Sequence, residues 1–180
     1  MSMQHDQEFL NHYFSTIWVP KNNSISDPDT IVKCIKEEEW LLDVGCGRNP
    51  FKKLHANTIG VDPAFDEADF KSTIESFEFS QFQFDVATCL GSINFGTKDI
   101  IDNQIKKVVS LLKPTARIYW RLNPGRHDHN NQQCYSIPFF NWDFETLLEF
   151  ANKYGFDQVN EQEEKQTDKL RLYAEWKRTV

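Results

Sequence analysis

Residues 42–50 read Leu42-Asp43-Val44-Gly45-Cys46-Gly47-Arg48-Asn49-Pro50. The apolar run Trp40 to Val44 has the length of a buried strand, and it runs straight into two glycines one residue apart. Glycine at such a point permits a tight turn and lets backbone N–H groups approach a ligand. Downstream, Asn57 to Val61 (NTIGV) reads as a second strand, and Asp62 follows it, seventeen positions beyond Gly45. In a doubly wound sheet the ends of these two strands are neighbours, so the Asp62 carboxylate is placed to accept hydrogen bonds from ribose hydroxyls. The third glycine of the dinucleotide fingerprint is missing, because Asn49 and Pro50 stand there. Asn tolerates a left-handed backbone, but Pro removes an N–H donor just where a diphosphate would use one. The pattern therefore disfavours a dinucleotide and suits a nucleoside ligand without phosphate.

Outward from this turn, helical and strand patterns alternate. Gln7 to Val19 carries Phe9, Tyr13 and Ile17 at intervals of four, with Leu10, Phe14 and Trp18 beside them, one broad apolar helical face. Pro20 ends it, residues 21–28 are loop, and Asp29 to Glu39 reads as a short helix. Phe70 to Ile74 is taken as a third strand and Phe84 to Leu90 as a fourth. Lys98 to Leu112 is an amphipathic helix, stopped by Lys113-Pro114. Ala116 to Leu122 is a fifth strand, followed by a long polar loop over residues 123–140. Trp142 to Tyr154 is helical and closed by Gly155; Asp157 to Glu164 and Leu170 to Arg178 read as two strands joined by the turn 165–169. This alternation predicts a single α/β domain whose mostly parallel sheet carries helices on both faces and ends in an antiparallel hairpin. Residues 1–39 are expected to form an N-terminal helical cover of the domain whose core is 40–180.

In this order and spacing the motifs resemble those of the class I S-adenosylmethionine-dependent methyltransferases, from about Trp40 to Arg178. LLDVGCG (41–47) looks like the first family motif and IGVD (59–62) the second. FDVATCLGSINF (84–95) resembles the fourth-strand motif, and VVSLLKPTARIYW (108–120) the helix, Lys-Pro stop and fifth strand. The resemblance implies a Rossmann-like sheet of seven strands in the order 3-2-1-4-5-7-6 and S-adenosylmethionine as cofactor. It implies that Asp43, Gly45 and Gly47 line the methionine moiety, with Cys46 of the same turn counted among the cofactor-binding residues as a backbone-close position, and that Asp62 holds the ribose. Glu75, or the neighbouring Ser76 and Phe77, matches the adenine-contacting position, and Cys89, Leu90 and Gly91 would sit under the sulfonium. Asn49 in place of the usual third glycine, and a short segment between Asp62 and Phe70, depart from the family pattern.

Methyl transfer is an in-line displacement that needs alignment, exclusion of water and sometimes a base. His127 and His129, in the loop after the fifth strand, are the base candidates, their ordinary pKa lying near ~6.5. Arg121, at the end of that strand, is the candidate for holding an acidic substrate. No metal site is expected, since no ligand cluster accompanies His127-Asp128-His129. Cys89 lacks the Pro-Cys context of cytosine-C5 methyltransferases, and CLGS (89–92) lacks the Asn/Asp-Pro-Pro-aromatic motif of the enzymes that methylate exocyclic amines of DNA.

Composition narrows the partners. The 180 residues carry 20 Lys plus Arg against 27 Asp plus Glu, a net charge of −7, which weighs against broad capture of nucleic acid. A local basic groove from Lys52, Lys53, Lys106, Lys107, Arg117, Arg121 and Arg126 would be needed for such a role. The N-terminus lacks a signal-peptide pattern, no apolar run approaches the ~18 residues of a membrane span, and the four cysteines show no CxxC spacing. The expectation is a cytoplasmic methyltransferase acting on a small-molecule acceptor; a non-catalytic nucleoside-binding protein and a nucleic-acid methyltransferase are the alternatives.

Overall fold

The structure is a computed structural model that describes residues 3–17, 27–124, 139–166 and 169–178. Its centre is a six-stranded sheet built from β1 (Leu41–Val44), β2 (Thr58–Val61), β3 (Phe84–Leu90), β4 (Leu112–Leu122), β5 (Asp157–Gln166) and β6 (Lys169–Lys177), in the order β2-β1-β3-β4-β6-β5. The first four are mutually parallel, with Val44 opposite both Val61 and Cys89, and Cys89 opposite Trp120. β6 runs antiparallel beside β4, and β5 pairs antiparallel with β6. The strand called over Phe70–Ile74 does not form. That segment contributes one bridge, Val61 to Phe70, so the sheet has six strands where seven are predicted. The expected order otherwise holds with the outer strand removed.

The physical reason lies in what Phe70 does. Its ring packs edge-on against Phe77 at 5.0 Å, and Phe77, Phe79, Phe82 and Phe84 continue the contact chain. An irregular segment that buries aromatic rings against the sheet edge replaces both the outer strand and the helix that would precede it.

Helices cover both faces. On one, α4 (Lys98–Ser110) and α5 (Phe144–Tyr154) supply Ile101, Ile105, Val108, Leu147, Phe150 and Ala151 to the larger core, which meets Leu42, Val44, Ala87, Ile118, Trp120 and Trp176 of the sheet. On the other, α2 (Pro28–Ile31), with the 3₁₀ turn Val32–Cys34, and α3 (Pro50–Leu54) cover Leu41, Val86, Tyr119 and Tyr173 through Ile31, Ile35 and Phe51. The alternation of a strand sends neighbouring residues to opposite faces, which is why Leu41 and Leu42 belong to different cores. The predicted helix Asp29–Glu39 is cut short at Cys34. At the N-terminus, α1 (Met3–His12) passes into a π-helical turn, Tyr13–Ile17. No helix among the described residues is long and apolar enough to cross a membrane.

Candidate functional site

The turn after β1 is built by hydrogen bonds to β2: the Gly45 and Cys46 N–H groups both donate to the Val61 carbonyl, at 2.8 and 3.2 Å. Gly45 has φ +69°, and a Cβ there would fall 2.3 Å from the Ser92 Cβ. No side chain fits, so the loops after β1 and β3 come into backbone-close contact. Asn49 takes φ 55°, ψ 51° and precedes Pro50, the first residue of α3. Its side-chain N–H₂ bonds the Glu67 carbonyl and the Asp69 carboxylate, both at 3.2 Å, while Asp69 also accepts the Gly60 N–H at 2.8 Å. Asn here does in a left-handed backbone what glycine does elsewhere, and in addition anchors the loop after β2.

Asp62 directly follows β2 and is 7% exposed. One carboxylate oxygen accepts the Gly47 N–H at 2.9 Å; the other accepts from Ala64 at 2.7 Å and Phe65 at 3.3 Å. An ionised carboxylate has about four acceptor positions, so three backbone donors orient it and leave capacity for a ligand.

Behind the turn, Asp43 is buried and accepts the Thr88 hydroxyl at 2.7 Å. Burial pushes its pKa up to about 7; the Thr88 hydrogen bond opposes this, the Asp62 charge adds to it and Arg121 pulls the other way. Burial likewise pushes the Cys46 and Cys89 thiols up, which removes both as thiolate nucleophiles near neutral pH.

A cavity of about 600 Å³ opens at the carboxyl ends of β1, β2, β3 and β4, within the range of small-molecule sites and at the topological switch where such sheets bind ligands. Its floor is Gly45, Gly47, Leu90 and Gly91. Asp62, Thr73, Ile74 and Glu75 form one end, Arg121 and Asn123 the other, and Leu10 and Phe14 reach it from the N-terminal segment. Phe14 meets Phe95 edge-on at 5.7 Å, and Phe95 meets Phe139 at 5.0 Å, completing an aromatic wall. Among the cavity-lining residues, the buried polar atoms Ser92 Oγ, Gln104 Oε1 and Asn123 Oδ1 have no hydrogen-bond partner.

The structure thus brings Gly45, Gly47, Asp62, Glu75, Leu90, Gly91 and Arg121 to one cavity. It does not bring the other expected residues there. Asp43 and Cys46 are buried beside the turn, and Cys89 is wholly buried in the larger core. Ser76 is exposed and bonded to Thr73, and Phe77 packs into the aromatic segment; Thr73 and Ile74 line the cavity in their stead. His127 and His129 lie outside the described residues. Sequence reading missed Leu10, Phe14 and Phe95 as wall residues, and Asn123. The signal for Asn123 was available, since a residue two beyond Arg121 shares its face of the strand. Among the described residues no three His, Cys, Asp or Glu side chains converge on a metal position.

No protein-family model matches the sequence, and no curated protein matches it. Solved structures do match. The 1,6-didemethyltoxoflavin N1-methyltransferase of Burkholderia thailandensis, crystallised with 1,6-didemethyltoxoflavin and S-adenosylhomocysteine, superposes with TM-score 0.75 over 100% of this chain and 92% of its own, at 13% identity. The fold is that of the S-adenosylmethionine-dependent methyltransferases. The same methyltransferase fold is shared with magnesium protoporphyrin IX methyltransferase from Synechocystis PCC 6803, bound to S-adenosylmethionine (TM-score 0.69, 13% identity, 97% of each chain). It is shared too with the N-methyltransferase NodS from Bradyrhizobium japonicum WM9, bound to S-adenosylhomocysteine (TM-score 0.68, 13% identity, 97% of this chain and 98% of that one).

Proposed function

We propose that the protein is an S-adenosylmethionine-dependent methyltransferase acting on a small-molecule acceptor. The observation that carries this reading is the convergence of the Gly45–Gly47 turn and the Asp62 carboxylate on one cavity at the carboxyl ends of β1, β2, β3 and β4. Its residues suit the cofactor. Gly45 and Gly91 leave a side-chain-free floor on which an extended ligand can lie against backbone, and Asp62 suits a ribose diol. Thr73, Ile74 and Glu75 form a half-polar end for a purine, with Glu75 already held by the Gln104 amide at 2.6 Å. The three neighbours crystallised with S-adenosylmethionine or S-adenosylhomocysteine support the same cofactor.

When bound, S-adenosylmethionine supplies a methyl carbon on a sulfonium that an oxygen or nitrogen lone pair displaces. The chain contributes alignment and dryness. Gly45, packed against Ser92, and Gly91, packed against Arg121, set the floor rigidly. Leu10, Phe14 and Phe95 close the opposite side with apolar surface and keep water from the reacting groups. Acid groups lie at the β2 end and one cation at the β4 end, which polarises the cavity along its length.

A small acceptor is favoured over nucleic acid because the expected basic groove is dispersed. Lys52 pairs with Asp69, Lys107 with Glu78 and Arg117 with Glu39, and Arg121 is inside the cavity; Arg126 lies outside the described residues. Calorimetric titration with S-adenosylmethionine and S-adenosylhomocysteine tests the reading. Saturable binding is expected for both, and no heat at millimolar ligand overturns it.

A further inference from the structure

We infer that Asn123 selects the acceptor, an uncharged and largely apolar amine whose nucleophilic nitrogen donates its N–H to the Asn123 side-chain oxygen. The inference rests on the methyltransferase reading and names the substrate class of that same site.

The first observation is an orphaned acceptor. Asn123 lines the cavity and is only 7% exposed, yet its Oδ1 has no hydrogen-bond partner. A buried amide oxygen left unpaired is costly, and a ligand N–H relieves that cost. The other unpartnered oxygens discriminate less among acceptors. Gln104 Oε1 belongs to the cofactor end, where the Gln104 amide nitrogen holds Glu75. Ser92 Oγ stands beside Gly45, and a hydroxyl turns to donate or to accept. Asn123 Oδ1 only accepts.

The second observation is position. Asn123 directly follows β4. Its backbone N–H donates to Asn94 Oδ1 at 3.2 Å, and Asn94 Nδ2 donates to the Gly91 carbonyl at 2.7 Å. Asn94 is wholly buried. This relay pins Asn123 to the loop after β3, whose Gly91 belongs to the floor that would carry the methionine end of the cofactor. Asp62 and Glu75 stand at the other end, which leaves Asn123 on the acceptor side. Around it Leu10, Phe14, Ile93 and Phe95 give the cavity apolar surface, so the ligand that fits is apolar apart from its donor.

The third step is chemical. An amide neither gives nor takes a proton near neutral pH, so Asn123 holds a hydrogen that stays on the nucleophile throughout the attack. An uncharged amine meets that condition. Its lone pair forms the new C–N bond as the C–S bond breaks, the C–S electron pair stays on sulfur, and the positive charge passes to nitrogen. The hydrogen bond to Asn123 becomes charge-assisted as that charge develops, so it is stronger in the transition state than before it, the condition for raising the rate. The product ammonium then loses its proton to water. An alcohol must shed its proton to a base that the amide oxygen is not, and an ammonium acceptor has no lone pair.

The probes are indoline, indane and 2,3-dihydrobenzofuran, which share one fused-ring frame, differ only in carrying N–H, CH₂ or O at one position, and are all uncharged at pH 8. Each is titrated into protein saturated with S-adenosylhomocysteine. Indoline should bind roughly tenfold more tightly than indane, and dihydrobenzofuran, with an oxygen in place of the donor, no better than indane. Asn123→Leu, apolar and close in size, should bring indoline and indane to within about twofold of each other and leave S-adenosylhomocysteine affinity unchanged. With methyl-labelled S-adenosylmethionine the unaltered protein should methylate indoline on nitrogen, and Asn123→Leu should lower kcat at saturating indoline roughly tenfold. If Asn123→Leu no longer binds S-adenosylhomocysteine it has lost its fold, and the three probes on the unaltered protein decide alone. If those probes bind alike, if none binds while S-adenosylhomocysteine does, or if bound indoline receives no label, the inference is overturned and the methyltransferase reading stands. If S-adenosylhomocysteine itself fails to bind the unaltered protein, the underlying reading fails and this inference with it.

Discussion

The Asp62 carboxylate accepts the backbone N–H of Gly47 at 2.9 Å, so the end of β2 is fastened to the turn after β1 by a charged hydrogen bond. One residue therefore has two duties, shaping the turn and facing the cavity. Asp62→Ala should weaken S-adenosylmethionine binding by about 1–3 kcal/mol and also lower the melting temperature of the free protein. Asp62→Asn keeps one oxygen acceptor and should lose less of both. Unchanged affinity in the alanine variant, by calorimetry, removes Asp62 from the site.

Asn49 holds a left-handed backbone and bonds Asp69 and Glu67. Substituting Ala removes the bonds and adds backbone strain; substituting Gly removes the same bonds without the strain. The glycine variant should therefore be the more stable of the two by ~1 kcal/mol in chemical denaturation. Equal stabilities would mean that the side-chain bonds alone account for Asn49.

Asp43 supplies a pH signature. Its folded pKa, raised from 3.8 to about 7, exceeds its unfolded value. Between those two pH values the native state holds a proton that the unfolded chain has lost. This group's contribution to stability therefore falls as pH rises through that window, by about 1.4 kcal/mol per pH unit, and levels off above it. Asp43→Asn, which can still accept from Thr88, should gain stability relative to the unaltered protein at pH 8 compared with pH 5. Denaturation midpoints of the pair at the two pH values measure this, and a difference that does not change with pH contradicts a protonated Asp43.

Glu39 behaves in the opposite sense. Arg117 grips it with two hydrogen bonds of 2.8 and 2.7 Å and also donates to the Cys34 carbonyl. Those bonds hold the Glu39 carboxyl down at about 2. Its stabilisation is complete above the unfolded value of 4.5 and is lost as pH falls through about 2. Glu39→Gln should cost about 1–3 kcal/mol at pH 7, and the gap to the unaltered protein should shrink steadily in acid melts toward pH 2.

What could be read in advance follows from the range of the forces involved. β1, β2, β3, α4 and the β5–β6 hairpin announce themselves by local periodicity and by Gly and Pro, and they form close to where the pattern puts them. The segment from Asp62 to Phe84 carries no such period. Its order comes from ring contacts such as Phe70–Phe77 and from Asn49 reaching Asp69, twenty residues away. The helix over residues 29–39 stops early for a related reason: the Glu39 carboxylate accepts the Lys36 N–H and is claimed by Arg117, 78 residues on. β4 begins at Leu112 and runs through Pro114, which reads as a helix stop; the pairing with β3 is irregular between Phe84 and Val86, and a proline fits at such a place. In the cavity, Gly45, Gly47, Asp62 and Arg121 were legible because backbone form and charge limit the residue types there. Phe14 and Phe95 were not, since an aromatic wall has the same composition as a core.

The mixed sheet has a consequence for biosynthesis. β4 is parallel to β3 on one side and antiparallel to β6 on the other. A nascent chain that has made β1 through β4 thus holds the Ile118-Tyr119-Trp120 edge open until β6, the last strand in chain order, is released and inserts between β4 and β5. During that interval an unpaired, strongly apolar strand edge faces whatever is nearby. A ribosome-bound chain stalled before residue 169 would carry that β4 edge unpaired.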